Sequence, residues 1–108
     1  MTTRVIVSRQ DGVAEVRLNR PDKMNALDLA MFEGLVEAGR ALAGEKSLRA
    51  VVLSGEGRAF SAGLDFASFA ALAEGSAGAR RLLRREAGGA ANYAQQAAFV
   101  WMDLPVPV

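Results

Sequence analysis

An α/β fold is predicted by three features of the sequence. Two short stretches alternate apolar and polar residues, a longer one repeats its apolar residues every three or four positions, and a third short stretch is apolar almost throughout. The first pattern suits strands buried on one face, the second an amphipathic helix, and the third a strand buried on both faces.

The elements follow in chain order. In residues 4–9 and 13–18, Val5 and Val7, then Ala14, Val16 and Leu18, share one face, while Glu15 and Arg17 point away. Asp11-Gly12 lies between the two stretches, and this dipeptide takes the positive φ angles that a tight hairpin turn demands. The chain is therefore expected to open with two antiparallel strands. Leu27, Met31, Leu35, Ala38 and Leu42 then form one stripe of a helix over about residues 29–43. Asp28 is its N-cap, Leu27 and Phe32 are spaced for a hydrophobic staple, and Gly44 is the stop. Residues 49–54, Arg-Ala-Val-Val-Leu-Ser, are the doubly buried strand, and the order strand, helix, strand predicts a right-handed parallel crossover.

Beyond a glycine-bearing loop from Gly55 to Gly63, the apolar residues Leu64, Phe66, Phe69 and Leu72 predict the start of a short helix. A second long helix is expected over about residues 79–103. Gly88-Gly89 is where it would split, since each glycine costs up to about 1 kcal/mol relative to alanine. Pro105, Val106, Pro107 and Val108 predict extended backbone and the start of a buried strand. A strand that begins without a following partner predicts that the polypeptide continues past Val108.

Composition narrows the chemistry. At 108 residues, 51% apolar and 23% charged, the chain fits one small core. Thirteen basic and twelve acidic residues leave a net charge of +1, which gives no overall field to gather nucleic acid or an anionic membrane. Any anionic ligand must be held locally. With neither cysteine nor histidine, disulfides, thiolate nucleophiles, His-based triads and the commonest metal ligands are excluded, so carboxylates and backbone amides remain. No metal or redox cofactor is implied. Neither a signal-length apolar run at the N-terminus nor an 18-residue apolar stretch occurs, which predicts a soluble, cytoplasmic protein.

Two loops are the candidate sites. Asn19-Arg20-Pro21-Asp22-Lys23-Met24-Asn25-Ala26-Leu27 joins a strand to the capped helix, and Gly57-Arg58-Ala59-Phe60-Ser61-Ala62-Gly63-Leu64-Asp65 follows the parallel strand. Loops at the carboxyl ends of parallel strands are where open α/β folds bind ligands. The first loop, read as Asn-Arg-Pro-x-x-x-Asn-Ala-Leu, and the second, from Ala59 to Asp65, together resemble the two signatures of the crotonase superfamily of enoyl-CoA hydratases and isomerases. The resemblance runs from about residue 4 to the end, with residues 70–95 generic.

That resemblance implies a crotonase-like spiral of ββα units. Residues 1–108 would be the N-terminal part of one domain, cut before its catalytic carboxylates. It implies acyl-CoA thioesters as substrates, with coenzyme A entering only as part of the substrate, and an oxyanion hole of two backbone amides. The residue after the signature glycine supplies one donor, here Leu64. The second donor and the carboxylates would lie beyond Val108, so the fragment alone is expected to be inactive. Carried over by position, Met24, Ala26, Ala62, Gly63, Leu64, Asp65 and Phe66 are the expected contacts to coenzyme A and substrate, and Lys23 could reach a phosphate. A homotrimer or hexamer is implied, completed by the rest of the polypeptide or a second fragment. Enoyl-CoA hydratase, a lyase adding water to a 2-enoyl-CoA, is the expected activity. Isomerase is the alternative within the family, and a non-catalytic acyl-CoA binding or assembly module is the alternative outside it.

Other features have plainer readings. Asp65 as a catalytic acid would set a negative charge beside a developing enolate, so a loop-fixing hydrogen bond is the preferred role. Arg80, Arg81, Arg84 and Arg85 read as a solvated helix face, with a phosphate or partner contact as the alternative. Phe99 and Trp101 read as core or subunit contact. Gly55, Gly57 and Gly63 do not make a phosphate loop, because the Gly-Lys-Ser/Thr ending is missing. Asn25, apart from its place in the first signature, has the plain reading of a helix-start residue and nothing more.

Overall fold

A computed structural model describes residues 3–67, 70 and 92–108. The alternating stretches form strands β1 (Val5–Gln10) and β2 (Val13–Leu18), paired antiparallel from Val5 opposite Leu18 to Gln10 opposite Val13. Asp11 (φ 54°) and Gly12 (φ 81°) make the turn between them, both in the left-handed region that a two-residue hairpin connection needs. Strand β3 (Ala50–Gly55) lies parallel to β2, Val13 opposite Ala50 and Leu18 opposite Gly55, so the sheet order is β1-β2-β3.

Helix α1 (Leu29–Ala43) connects β2 to β3. Asp28 caps it by accepting from the Met31 amide at 2.9 Å, which satisfies one of the donors a helix start leaves free. Gly44 ends it, its amide bonding back to Ala41 and Leu42 in a right-handed conformation. The buried stripe is wider than the apolar spacing predicts, because Phe32, Val36 and Gly39 join Met31, Leu35 and Leu42. It packs on Ala14, Val16 and Leu18 of β2 and Val51 of β3 to make the core.

Helix α2 (Tyr93–Phe99) lies across α1. Asn92 and Gln95 form a reciprocal capping box at its start, at 2.8 and 3.0 Å. The helix ends at Phe99 rather than 103, because the chain turns there to bury Val100, Trp101 and Leu104. Trp101 is a core residue, its Nε1 donating to the Ala97 carbonyl at 2.8 Å. Residues 79–91, with the four arginines and Gly88-Gly89, and the expected short-helix residues Phe69 and Leu72, lie outside the described residues.

One expectation is corrected. Strand β3 is not buried on both faces: Val52 is 49% exposed and shares its face with Val13, Glu15 and Arg17. Among the described residues the two helices pack on one face of the sheet, so the apolar run is covered on one side. The Pro105 to Val108 segment runs beside the outer edge of β3, joined to it by the Val51 amide donating to the Pro107 carbonyl at 2.9 Å. Val106 is half-buried there and Val108 exposed.

Candidate functional site

Because β2 and β3 are parallel neighbours, the two loops that leave their carboxyl ends emerge side by side. The first, residues 19–28, begins with a 3-10 turn at Pro21–Lys23, where the fixed φ of proline suits the first helical position. Met24 (φ 53°) and Asn25 (φ 55°) follow in the left-handed region and reverse the chain. The second, residues 56–65, bends at Gly57 (φ 84°) and Gly63 (φ 92°).

Backbone bonds lace the loops together. The Ala62 amide donates to the Met24 carbonyl at 2.8 Å, Leu27 to Gly63 at 2.7 Å, and Asp65 to Leu27 at 3.0 Å. The last two constitute a parallel bridge between Leu27 and Leu64. In such a bridge one residue bonds to the two neighbours of its partner, so the partner's own N–H and C=O point the other way. Leu64 is that partner. The amides on either side of it are spent, Gly63 on the Ser61 hydroxyl at 3.1 Å and Asp65 on Leu27, whereas the Leu64 amide has no acceptor among the described residues.

Asn25 holds the two loops from inside. It is fully buried, at 0% exposure, and its side-chain amide is satisfied three times. Its Oδ1 accepts from the Arg20 amide at 2.7 Å, and its Nδ2 donates to the carbonyls of Glu56 at 2.9 Å and Ala59 at 2.8 Å. Its own carbonyl accepts from the Ser61 hydroxyl at 2.8 Å. The apparent helix-start residue is the polar centre of the site.

A chain of alternating charges flanks this framework. Arg4 meets Asp28 at 2.9 Å, Arg20 lies 3.7 Å from Asp28, and the same guanidinium donates to Asp65 at 3.1 Å. Burial pushes the Asp28 carboxyl up, but the hydrogen bonds from Arg4 and the Met31 amide, with the charges of Arg20 and Arg4, outweigh it and hold the group below its ordinary range. Arg20 and Asp65 are only 14% and 15% exposed, and Asp65 also accepts from the Ala67 amide at 3.0 Å. Its carboxylate thus faces the protein, in the loop-fixing role expected for it.

The remaining expected contacts are spread over the surface of this framework. Lys23 is exposed on the first loop, and Met24 is half-buried behind it. The Arg58 guanidinium, exposed on the second loop, lies 3.6 Å from the Met24 sulfur, so the loops carry a second exposed cation beside Lys23. Ala26 is buried, with its carbonyl engaged by Arg20 at 3.2 Å. Ala62 and Leu64 are exposed, Gly63 is half-buried, and Phe66, 92% exposed, extends an apolar rim with Phe60 and Leu64. Beside the rim opens an apolar cavity of about 390 Å³, lined in part by Leu27, Phe32, Leu53, Phe60 and Trp101. Among the described residues no cluster of acidic groups could hold a metal ion. The site offers an unspent amide, local positive charge and apolar surface, which suits a polarised carbonyl on an anionic, partly apolar ligand.

Comparison with known proteins identifies the family. The family model for enoyl-CoA hydratase/isomerase matches residues 8–86. Over 65 residues, 60% of this chain, the sequence is 40% identical to the mitochondrial Delta(3,5)-Delta(2,4)-dienoyl-CoA isomerase of Mus musculus, and the match covers 20% of that protein. Over 61 residues, 56% of this chain, it is 43% identical to 4-chlorobenzoyl coenzyme A dehalogenase-2 of an Arthrobacter species, covering 22% of it. The crystal structure of an enoyl-CoA hydratase/isomerase from Mycobacterium paratuberculosis superposes with a TM-score of 0.83 at 27% identity, over 100% of this chain and 40% of that one. The chain therefore spans two fifths or less of the length of these proteins. With the family model matched over most of its length, and its fold reproduced in a solved relative, this chain belongs to the enoyl-CoA hydratase/isomerase family of the crotonase superfamily, as an N-terminal portion of that fold.

Proposed function

We propose that these loops hold the thioester of an acyl-CoA, with the Leu64 amide donating to its carbonyl oxygen. The observation that carries this reading is the bridge to Leu27, which uses the amide of Asp65 and turns that of Leu64 outward, without an acceptor among the described residues. Crotonase-type reactions build negative charge on the thioester oxygen. A donor already in place stabilises that charge without having to reorganise as it forms. Lys23 and Arg58 supply positive charge for coenzyme A phosphates, and Met24, Ala62, Gly63 and Phe66 supply backbone and apolar contact.

The reaction proposed is addition of water to a 2-enoyl-CoA. Identity to the mouse dienoyl-CoA isomerase supports a second reading, movement of a double bond, which uses the same oxyanion site with differently placed carboxylates. In either case the acid-base groups are supplied from outside residues 1–108, within a homotrimer or hexamer. The site is tested by Leu64→Pro in the complete enzyme, which removes the N–H while Gly63 before it tolerates the ring. The expected result is a fall in kcat of about 10² to 10³-fold with near-UV circular dichroism unchanged. Unchanged turnover in the folded variant would sink the assignment.

A further inference from the structure

We infer that Asn25 is a positioning residue for the reaction: its buried amide sets the path of the second loop and so aims the Leu64 N–H. This inference rests on the oxyanion reading of Leu64 above. Among the described residues Asn25 is the only polar one fully buried, and it sits at φ 55°, a conformation that asparagine adopts more readily than most residues. Both Nδ2 hydrogens are used, on Glu56 and Ala59, and Oδ1 accepts from Arg20, so both ends of the amide are fixed by backbone groups. Glu56 is where the chain leaves β3, and Ala59 lies between the bends at Gly57 and Gly63. The third tie runs from the Asn25 carbonyl through the Ser61 hydroxyl to the Gly63 amide, one residue before the proposed donor. Asn25 never reaches the ligand; it determines where residues 56–63 lie, and Leu64 follows from them.

The distinction from plain structural support is chemical. Aspartate has the same shape as asparagine, but an ionised carboxylate has no hydrogens to donate and would face two carbonyl oxygens. In Asn25→Asp the loop should move away from residue 25 while the core of β2, β3 and α1 keeps its packing. A displacement of about 1 Å at a reacting group costs on the order of 10²-fold in rate. The loss should fall mainly on kcat, because the Leu64 N–H acts on charge that develops in the transition state, while the first-loop contacts at Lys23 and Met24 stay in place.

The experiment uses the complete enzyme and a 2-enoyl-CoA carrying ¹³C at the thioester carbonyl. Difference infrared spectroscopy then reads the carbonyl stretch of the bound ligand, which falls when the oxygen accepts strong hydrogen bonds. Expected for Asn25→Asp are a kcat lower by about 10²-fold, a KM within about threefold of the parent, and a carbonyl stretch moved back toward that of the free thioester. Ser61→Ala, which cuts only the hydroxyl tie, should move the same three readings in the same direction by less, and serves alone if Asn25→Asp does not fold. A folded variant set with parental carbonyl stretch and kcat would overturn the inference, as would equal losses in binding and turnover that track a drop in Tm. Leu64→Pro is the control. If it abolishes the carbonyl shift while the Asn25 and Ser61 variants keep it, only the positioning role fails; if it leaves the shift intact, the donor assignment fails and the positioning role with it.

Discussion

Gly55 ends β3 at a point where a side chain has no room. A Cβ there would lie 2.5 Å from the Phe60 carbonyl oxygen, 2.7 Å from that of Ala59 and 2.8 Å from Asn25 Nδ2. Two of these atoms are main chain in a laced loop, so relief requires the loop to leave Asn25. Gly55→Ala should therefore lower stability by about 1–3 kcal/mol, the usual cost of overpacking, measured as a drop in Tm. At Gly63 a Cβ would meet nothing within 4 Å, and substitution there costs only the strain of its φ of +92°. An alanine at 63 that proved as harmful as one at 55 would show that crowding is not the controlling term. Sequence pattern identified the glycines as special without distinguishing these two reasons. It also left Asn25 undecided between a signature residue and a helix-start residue, because a polar residue three positions before a helix cap looks the same whether it faces water or is sealed between two loops. The motif singled out Leu64 for its amide, but the tertiary pairing with Leu27 that leaves this amide without an acceptor among the described residues is encoded in no local pattern.

Two helices meet where α1 carries Gly39. A Cβ at that position would lie 2.6 Å from both methyl carbons of Val100, just past the end of α2. Helix propensity alone favours alanine over glycine by about 0.5–1 kcal/mol in a helix interior, while overpacking costs about 1–3 kcal/mol. Packing should win, so Gly39→Ala is expected to destabilise the protein in a urea titration. In a Val100→Ala background both methyl contacts are gone and only the Cβ at 3.2 Å stays close, so the same change should cost clearly less than in the parent. Additive effects of the two changes would contradict the close approach. Gly39 lay outside the predicted apolar stripe because glycine has no hydropathy to contribute, although it is buried. The opposite error occurred in β3, whose continuous apolar run implied two covered faces. Apolar runs report what a strand could bury, and the packing partners decide how many faces are covered. For α1 and the β1-β2 hairpin, period and turn chemistry agreed with the tertiary packing, and those elements were read to within a residue or so.

Across the molecule, Arg4, Asp28, Arg20 and Asp65 join the approach to β1, the start of α1 and both loops through alternating charges. The N-cap was readable from local sequence, but its two arginine partners were not, since Arg4 is 24 residues away and is brought near by strand pairing. The network gives stability a pH dependence of definite sign. Asp28 titrates lower in the folded protein than its ordinary value of 3.8, so the folded state binds fewer protons. Its contribution is therefore complete above that ordinary value and is lost as pH falls through the lower folded one. Asp28→Asn isolates the charge, because asparagine caps a helix about as well as aspartate and has nearly the same volume. In urea titrations of the complete protein, the parent should be more stable than Asp28→Asn by a constant margin between about pH 6 and 8, and the margin should shrink below about pH 4. The exposed pair of Arg9 and Glu45 also holds its carboxyl low, but it lies in solvent, where salt screens it. Raising ionic strength should thus reduce the Glu45 contribution while leaving most of the Asp28 margin. A margin that stayed constant through acid pH would mean that it does not come from the charge of Asp28, and that the arginines of the network are held by other groups.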